Sequence, residues 1–162
     1  MSSGLRIRRY QDADHDAVWA LHRQALCDAG AHAGAGPWDD DLHAITEVYL
    51  EQRGDFVVGL LEGELVAMGA LRDTSARRAE IKRMRVAPHV QRRGFGRLIL
   101  EHLERRAREL GYTQLHLDTT TGQLAAQALY CAHGYRETGR ERRSRFELIF
   151  LEKRLPPDDG GP

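Results

Sequence analysis

The sequence lacks most of the features that mark a membrane, disulfide-rich or metal-binding protein. No apolar run approaches the roughly 18 residues of a membrane span, and the N-terminus has no signal-peptide core, so we expect a cytoplasmic protein without a membrane partner. There are only two cysteines, Cys27 and Cys131, far apart and outside any CxxC pair, and we expect both to be reduced and buried. The eight histidines have no metal-ligand spacing such as HExxH, so we expect no metal.

A surplus of charge of either sign is also missing. The 24 basic residues balance 24 acidic ones, so no overall field draws the chain towards nucleic acid. A length of 162 residues fits one domain, and no repeat or long linker divides it. We therefore predict a single domain over residues 1–155 and a disordered tail over residues 156–162.

The most informative segment that the chain does contain is QRRGFGR, between an extended run and a run of helical periodicity. Two glycines at the start of a helix let a bound group approach the main chain, and the amides of the first turn have no partner within the helix. Three arginines add positive charge around them. The segment therefore predicts a site for a polyanion, with a pyrophosphate as the expected group. Its residues are Gln91, Arg92, Arg93, Gly94, Phe95, Gly96 and Arg97.

The periodicity of apolar residues predicts a strand-rich order of elements around this segment. A first strand at 5–9 and a helix capped by Asp12 or Asp14 precede a loop at 28–38. The run Asp39–Asp41 then offers capping carboxylates for a second helix, with attraction of a cationic amine as the alternative use. The further strands are predicted at 55–61, 65–71, 79–86, 114–118, 135–138 and 146–153, the further helices at 98–110 and 123–133, and a turn at 140–145.

Spacing within these elements predicts finer features. The step of three between Ile81 and Met84 breaks the period of two in its strand, which favours a β-bulge, with an irregular edge strand as an equal alternative. The first helix is expected to have one apolar face. The long helix is expected to carry two ion pairs on its outward face. The apolar face consists of Ala17, Val18, Leu21 and Ala25, and the ion pairs are Glu101–Arg105 and Glu104–Arg108.

Two other phosphate-binding motifs fit the glycine segment less well. A dinucleotide-binding fingerprint needs a third glycine, but Ile99 stands at that position. The fingerprint also lies at the start of its fold, whereas here a strand meander precedes the glycines. One residue favours this motif, because Asp118 lies about twenty residues further on, where the motif has an acidic residue. A P-loop needs Gly-Lys-Ser/Thr, which does not follow. Glycines that merely shape a loop would leave the clustered arginines unexplained.

The order strand, Q-x-x-G-x-G, helix resembles the signature of the GCN5-related N-acetyltransferases, the GNAT family. Glu80–Pro88 is similar to the family's E-L-x-x-L-x-V-x-P strand, Leu129–Tyr135 to its L-Y-x-x-x-G-F motif, and Glu152–Leu155 to its closing strand. The N-terminal half resembles the family only in its order of elements. One departure is Gln123, which stands where members often carry an asparagine that touches the cofactor.

The resemblance implies an α/β (α+β) fold with a mixed, mostly antiparallel, twisted sheet of about six to seven strands. About four helices would flank this sheet, which would splay between its fourth and fifth strands. Acetyl-CoA would be the co-substrate, and no metal is implied. The main chain near Met84, Arg85 and Val86 would pair with the pantetheine arm, the glycine segment would hold the pyrophosphate, and Gln123 would contact the cofactor through its longer amide.

The implied reaction is acyl transfer from a thioester sulfur to an amine in a ternary complex. A primary alkylamine with a pKa near ~10 must first lose a proton, at a cost of about 4 kcal/mol at pH 7, so a carboxylate base acting through water is useful. Glu80, by its place in the family-like strand, is the candidate base; the alternative is a solvated glutamate paired with Arg83. Tyr130 matches the family tyrosine beside the sulfur and is the candidate proton donor; the alternative is a core tyrosine with a hydrogen-bonded hydroxyl.

The expected acceptor is the primary amine of a small molecule or amino-acid-like compound, because Leu117–Thr120 resembles the same stretch in members with such substrates. A protein N-acetyltransferase and a non-catalytic acyl-CoA-binding sensor are the alternatives. A nucleic-acid-binding module built on the helix arginines is disfavoured by zero net charge and interspersed glutamates, so no nucleic acid partner is expected. Homodimers are common among similar proteins, which makes a homodimer one expected state.

Overall fold

The computed structural model of the protein describes residues 4–28, 37–143 and 146–156. Most of the predicted loop at 28–38 and of the predicted tail at 156–162 lies outside these ranges. The side chains of residues 25–28, 37 and 38 are also outside the description, so the expectations for Ala25 and Cys27 stay predictions.

The described chain forms seven strands and three longer helices. The strands are β1 (Leu5–Arg9), β2 (Asp55–Leu61), β3 (Glu64–Asp73), β4 (Arg78–Val86), β5 (Gln114–Thr120), β6 (Arg136–Arg143) and β7 (Phe146–Arg154). The longer helices are α1 (His15–Asp28), α2 (Phe95–Glu109) and α3 (Leu124–Ala132). Short 3₁₀ helices lie at Asp12–Asp14, Pro37–His43 and Pro88–Val90, and a π-helix at Thr46–Leu50. No helix in the described ranges has both the length and the apolar character that crossing a bilayer requires.

The strands form one sheet in the order β1-β2-β3-β4-β5-β7-β6. Neighbouring strands are antiparallel except β4 and β5, which run parallel. These two strands pair only over Arg78–Glu80 and Gln114–His116 and then part, although β4 continues to Val86 and β5 to Thr120. The predicted mixed sheet, flanked by helices and splayed between its fourth and fifth strands, is confirmed.

Buried apolar side chains cover the two faces of the sheet in separate clusters. The α2-side cluster contains Ile99 and Leu103 of α2 and Tyr130 of α3, packed on the sheet. The α1-side cluster contains Val18 of α1 and Tyr49 of the π-helix. Each fully buried Leu, Ile or Val side chain stabilises the fold by about 1.5–3 kcal/mol relative to an exposed one, so both faces hold their helices firmly.

The predicted β-bulge is confirmed, and it lies in β4 at Arg83 and Met84. These two residues face the single residue Gly69 of β3, because the register shifts between Met68 and Ala70. Arg83 has a left-handed conformation with a φ of 59°, which is uncommon for a residue with a side chain. The bulge redirects β4 just beyond the point where it parts from β5.

The helices of the N-terminal third differ from prediction. Val18 and Leu21 are buried as expected, but Ala17 is exposed and His22 is buried. The apolar pattern missed His22 because a polar side chain can be buried when it finds a hydrogen-bond partner, here Asp39 at 3.1 Å. The predicted second helix is replaced by the short 3₁₀ and π-helices at Pro37–His43 and Thr46–Leu50.

The two ion pairs predicted on the outside of α2 are wrong. Glu104 is buried, with 5% exposure, and accepts hydrogen bonds from the Tyr135 hydroxyl at 2.7 Å and from Lys153 Nζ at 3.0 Å. Glu101 pairs with Arg97, one turn earlier, at 3.3 Å. Helical spacing alone could not reveal partners that arrive from β7 and from the residue preceding β6.

Two smaller expectations also fail towards the C-terminus. The predicted turn at 140–145 is strand up to Arg143, because β6 pairs with β7 as far as Arg143 and Phe146. Cys131 is exposed where burial was expected, while it is free as predicted. Cys131 is exposed because its neighbour Tyr130 points into the core, and successive residues of a helix point about 100° apart.

Gly69 is predicted to be essential for packing at the bulge. A Cβ atom there would lie 2.5 Å from Cγ2 of Ile99 and 2.9 Å from the sulfur of Met84. We expect Gly69→Ala to lower the free energy of unfolding by about 1–3 kcal/mol, because α2 must shift to admit a methyl group. Gly139→Ala is the matched control, since its Cβ would meet no heavy atom within 4 Å. Equal urea midpoints for the two variants would contradict the prediction.

Candidate active site

The turn of residues 92–97, which we call the glycine turn, presents main-chain N–H groups that the protein leaves free. The first helical hydrogen bond of α2 runs from Leu98 N–H to Gly94 O at 3.1 Å, and none of the six preceding N–H groups donates to an acceptor in the described residues. Arg92 and Gly94 have φ values of 66° and 81°. Alternation of left-handed and right-handed residues turns successive N–H groups towards one concave spot, which suits an anion.

Arginine side chains surround the glycine turn. Arg92 and Arg93 are exposed, and the Arg93 guanidinium lies 5.1 Å from the centre of the Phe95 ring, which packs in the α1-side cluster. Arg97 is held by Glu101 on the next turn of α2. The positive end of the α2 dipole adds to these charges, so the local potential favours a polyanion although the chain as a whole is neutral.

The glycine turn, the end of β4 and α3 meet at one corner of the fold. A Cβ atom at Gly96 would lie 3.5 Å from Cδ2 of Leu129 and 3.8 Å from Cγ2 of Val86. Any larger residue would fill the space between these three elements. The structure therefore brings the sequence-predicted residues of the glycine turn together with Val86 and with the neighbour of Tyr130.

The main chain at the end of β4 faces the gap that β5 leaves. Ala87 N–H donates to Val66 O of the preceding strand region at 2.7 Å. Main-chain groups point to alternate sides along a strand, so those of Arg85 also point to β3, whereas those of Met84 and Val86 point into the gap. Gln91 Nε2 donates to Val86 O at 3.4 Å, and Arg85 Nη1 donates to Met84 O at 2.8 Å.

Tyr130 lies on α3 with its ring in the α2-side cluster and only 5% exposure. Its ring packs edge-on against Tyr135, with centroids 5.6 Å apart. Burial raises the pKa of Tyr130 to about 12, although the nearby charge of Arg85 acts in the opposite direction. Within the described residues its hydroxyl makes no hydrogen bond, so the alternative of a core tyrosine with a satisfied hydroxyl does not describe it.

Glu80 lies in the last residue pair before β4 and β5 part, opposite His116. Its neighbours Ala79 and Ile81 belong to the α2-side cluster, so the Glu80 side chain points to the other face of the sheet. His116 Nε2 is 2.9 Å from the Thr74 hydroxyl, and burial lowers the pKa of His116, which keeps the imidazole neutral at pH 7. No hydrogen bond or ion pair joins Glu80 to Arg83, which is occupied elsewhere.

Gln123 stands at the N-cap position of α3, but its side chain turns back to the end of β5 and makes no capping hydrogen bond to the helix. Its Oε1 atom accepts hydrogen bonds of 3.1 Å from the Thr119 hydroxyl and from both the N–H and the hydroxyl of Thr120. The side-chain carbonyl is therefore fully used within the protein. Only the Nε2 amide group is left to contact a ligand.

These features agree with a known family. Residues 16–135 match the acetyltransferase (GNAT) family. The chain belongs to this family. Membership confirms the family expected from the motifs.

Individual GNAT relatives cover the chain to different extents. The chain is 39% identical over 127 residues to the uncharacterized N-acetyltransferase YedL of Escherichia coli. The aligned region covers 76% of this chain and 77% of that protein. It is 36% identical over 105 residues to human N-acetyltransferase 8. That aligned region covers 61% of this chain but only 46% of the human protein. Here the chain matches less than half of its relative's length.

Solved structures of the family share the fold. An acetyltransferase of Staphylococcus aureus Mu50 has a TM-score of 0.86 at 18% identity and covers 94% of this chain and 99% of that one. The acetyltransferase yncA of Salmonella typhimurium, solved with acetyl-CoA, has a TM-score of 0.79 at 20% identity and covers 96% of both chains.

One part of this GNAT site, a buried network of charged side chains, was not predicted from the sequence. A buried charge network lies on the α1 side of the bulge, where Arg83 donates to both oxygens of Asp41 and, at 3.2 Å, to Asp39. Tyr49 also donates to Asp41, and His22 contacts Asp39 at 3.1 Å. Asp39 and Asp41 thus neither cap a helix nor stand free for a cationic amine. Arg83 and Asp41 are 42 positions apart in the chain, so no local pattern indicated the pair.

Asp41 is predicted to stabilise the fold only when it is ionised. Burial pushes its pKa up, but the hydrogen bonds and charge of Arg83 outweigh burial and lower it below the ordinary value. The contribution is therefore complete above the unfolded pKa of about 4 and is lost as the pH falls through the lower folded pKa. At pH 7 we expect Asp41→Asn to lower the free energy of unfolding by about 3 kcal/mol, because it weakens a buried ion pair.

The measurement is urea unfolding of the wild type and of Asp41→Asn from pH 7 down to pH 3. The difference between the two proteins should narrow as the pH falls. Asp40→Asn provides the control, since Asp40 is exposed and should show little difference at any pH. A constant difference across this range would contradict the role given to the Asp41 charge.

Proposed function

We propose that this GNAT protein is an acetyl-CoA-dependent N-acetyltransferase whose acceptor is the primary amine of a small molecule or an amino-acid-like compound. One observation carries the proposal: six successive N–H groups of the glycine turn have no acceptor in the described residues. Unpaired N–H groups at the start of a 15-residue helix bind phosphate groups well.

The residues of the site fit acetyl-CoA, which would supply the activated acetyl group as a thioester. The glycine turn and the side chains of Arg92, Arg93 and Arg97 would hold the diphosphate. Met84 and Val86 offer main-chain groups to the amides of the pantetheine arm, in the gap between β4 and β5. The main chain of Arg85 pairs with β3 and so would hold Met84 and Val86 in place on either side of it, while the Nε2 group of Gln123 can donate to the cofactor. Gln91 lies beside Val86 at the same end.

Glu80 would accept a proton from the acceptor ammonium through a water molecule. An alkylamine is almost fully protonated at pH 7, so removal of a proton accounts for about 4 kcal/mol of the barrier. Glu80 stands where the sheet opens, and its side chain faces away from the α2 side. His116 beside it is neutral and can accept a hydrogen bond or a proton from the same water.

Tyr130 would stabilise the departing sulfur. Its hydroxyl has no protein partner in the described residues, and a pKa of about 12 keeps it protonated at neutral pH. Full transfer of its proton to a thiolate, whose pKa is about 8.5, would be uphill by about 5 kcal/mol. A hydrogen bond from the hydroxyl to the developing thiolate is therefore the favoured role.

Binding of the diphosphate is the first prediction of this proposal. Isothermal titration calorimetry should show acetyl-CoA binding at least about 100-fold more tightly than S-acetylpantetheine, which lacks the diphosphate together with the adenosine 3′-phosphate, because the charge-assisted hydrogen bonds to phosphate are lost. The advantage should shrink at high salt. No heat with acetyl-CoA, from protein that unfolds cooperatively, would contradict the proposal; binding without turnover of any amine would favour the non-catalytic acyl-CoA sensor.

The roles of Tyr130 and Glu80 separate in a pH profile of turnover. Tyr130→Phe should lower kcat tenfold or more at every pH, while acetyl-CoA affinity stays within a few fold. Glu80→Gln should lower kcat at pH 7 by about 10²–10⁴-fold and recover as the pH rises towards the pKa of the amine, which then needs no base.

Release of free thiol with a panel of amines provides the assay. Tyr10→Phe is the control, because Tyr10 is a buried tyrosine of the α1-side cluster, far from the gap, and the change is chemically the same. Unaltered kcat in Tyr130→Phe would remove Tyr130 from the mechanism. A Glu80→Gln defect that is independent of pH would do the same for Glu80.

A further inference from the structure

Arg85 carries a positive charge that the described residues do not pair. Its Nη1 atom donates to Met84 O at 2.8 Å, and its Nε atom is fully buried without an acceptor. No carboxylate oxygen of the described residues lies within 4.0 Å of its guanidinium nitrogens. A buried donor without a partner costs about 1–3 kcal/mol, and more for a charged group, so such a group calls for a ligand.

Asp39, whose charge acts on Arg85, and Asp41, which shares Arg83 with it, are already occupied. Asp41 accepts from Arg83 and Tyr49, and Asp39 accepts from Arg83 and contacts His22. The sequence between α1 and the Pro37–His43 helix cannot supply another, since residues 29–36 contain no Asp or Glu. Burial and the charge of Arg83 lower the pKa of Arg85 to about 10, so it remains a cation at pH 7.

The Arg85 side chain points to the α1 side of the sheet, away from α2. Its cross-strand partner Met68 belongs to the α1-side cluster, whereas its neighbour Met84 packs on the α2-side cluster. The Glu80 side chain faces the α1 side as well. The candidate base and the unpaired guanidinium therefore share one face of β4, with Tyr130 on the other face.

We propose that Arg85 binds a carboxylate of the acceptor, so that the acceptor is an amino acid or another amine that carries a carboxylate. This inference rests on the proposed function. The guanidinium fork matches a carboxylate in shape and charge, and its free Nε and Nη2 groups are the donors that a two-point contact needs. The acceptor amine would then lie further along the same face, towards Glu80.

Pairs of acceptors that differ only in the carboxylate provide the test. Thiol release from acetyl-CoA is measured with the twenty L-amino acids, with their carboxamides and with simple alkylamines. For the acceptors that the wild type uses, kcat/KM should be at least about tenfold higher for the acid than for its carboxamide. Arg85→Gln should bring this ratio close to one, mainly by raising KM for the acid, and Arg85→Lys should restore part of it.

Three controls make the result specific. Arg6→Gln, on the exposed outer strand β1, should keep the wild-type ratio. Acetyl-CoA binding and the thermal midpoint of Arg85→Gln should show that the variant is folded and that its cofactor site is intact. The carboxamides report the loss of the carboxylate contact independently of any variant.

Failure of this inference is distinct from failure of the proposed function. Equal or better turnover of carboxamides or alkylamines would overturn the carboxylate contact while leaving the transferase intact. An equal loss of kcat for acids and carboxamides in Arg85→Gln would place Arg85 at the reacting carbonyl instead, which also overturns it. Absence of turnover with every amine would contradict the proposed function and this inference with it.

Discussion

The contact between Arg83 and Asp41 is the interaction on which the α1 side of the site depends. Arg83 adopts a left-handed conformation in the β4 bulge, at a cost of about 1–2 kcal/mol, and its buried guanidinium requires acceptors. Asp41 supplies both of its oxygens, and Asp39 adds a contact at 3.2 Å. The same hydrogen bonds tie the Pro37–His43 helix to β4. The strained strand and the Pro37–His43 helix beside it therefore stabilise each other.

The bulge and the short β4–β5 pairing together divide the site into two sides. On the α2 side, the glycine turn and Tyr130 offer N–H and hydroxyl donors that the described residues leave free. On the α1 side, Glu80 and Arg85 offer a base and a cation. A sheet paired along the whole of β4 would have used the main-chain groups of Met84 and Val86 internally. Parting after three residue pairs leaves these groups facing the gap, where Met84 O accepts from Arg85 Nη1 and Val86 O from Gln91 Nε2.

Sequence patterns predicted the parts of this arrangement that depend on neighbours in the chain. The glycine turn was predicted from a run of seven consecutive residues, and the bulge from a break in the period of a single strand. The missed parts depend on partners far away: Glu104 is buried because Lys153 reaches it from 49 positions along the chain. The burial of His22 and of the Arg85 guanidinium was missed for a related reason, although the main chain of Arg85 was predicted to contact the cofactor. Periodicity reports whether a position is apolar and says nothing about which hydrogen bonds a buried polar group will find.

Arginine content by itself is a poor guide to where this protein binds anions. Arg140 and Arg143 are exposed and are bonded to Glu137 and Glu141, and exposed pairs of this kind contribute only about 0–1 kcal/mol. Their donors are already used. The Nε group of Arg85 and the N–H groups of the glycine turn differ because they lack acceptors within the described residues. A neutral chain can therefore bind a diphosphate strongly, because binding depends on the local surplus of unpaired donors over acceptors, which total charge does not measure.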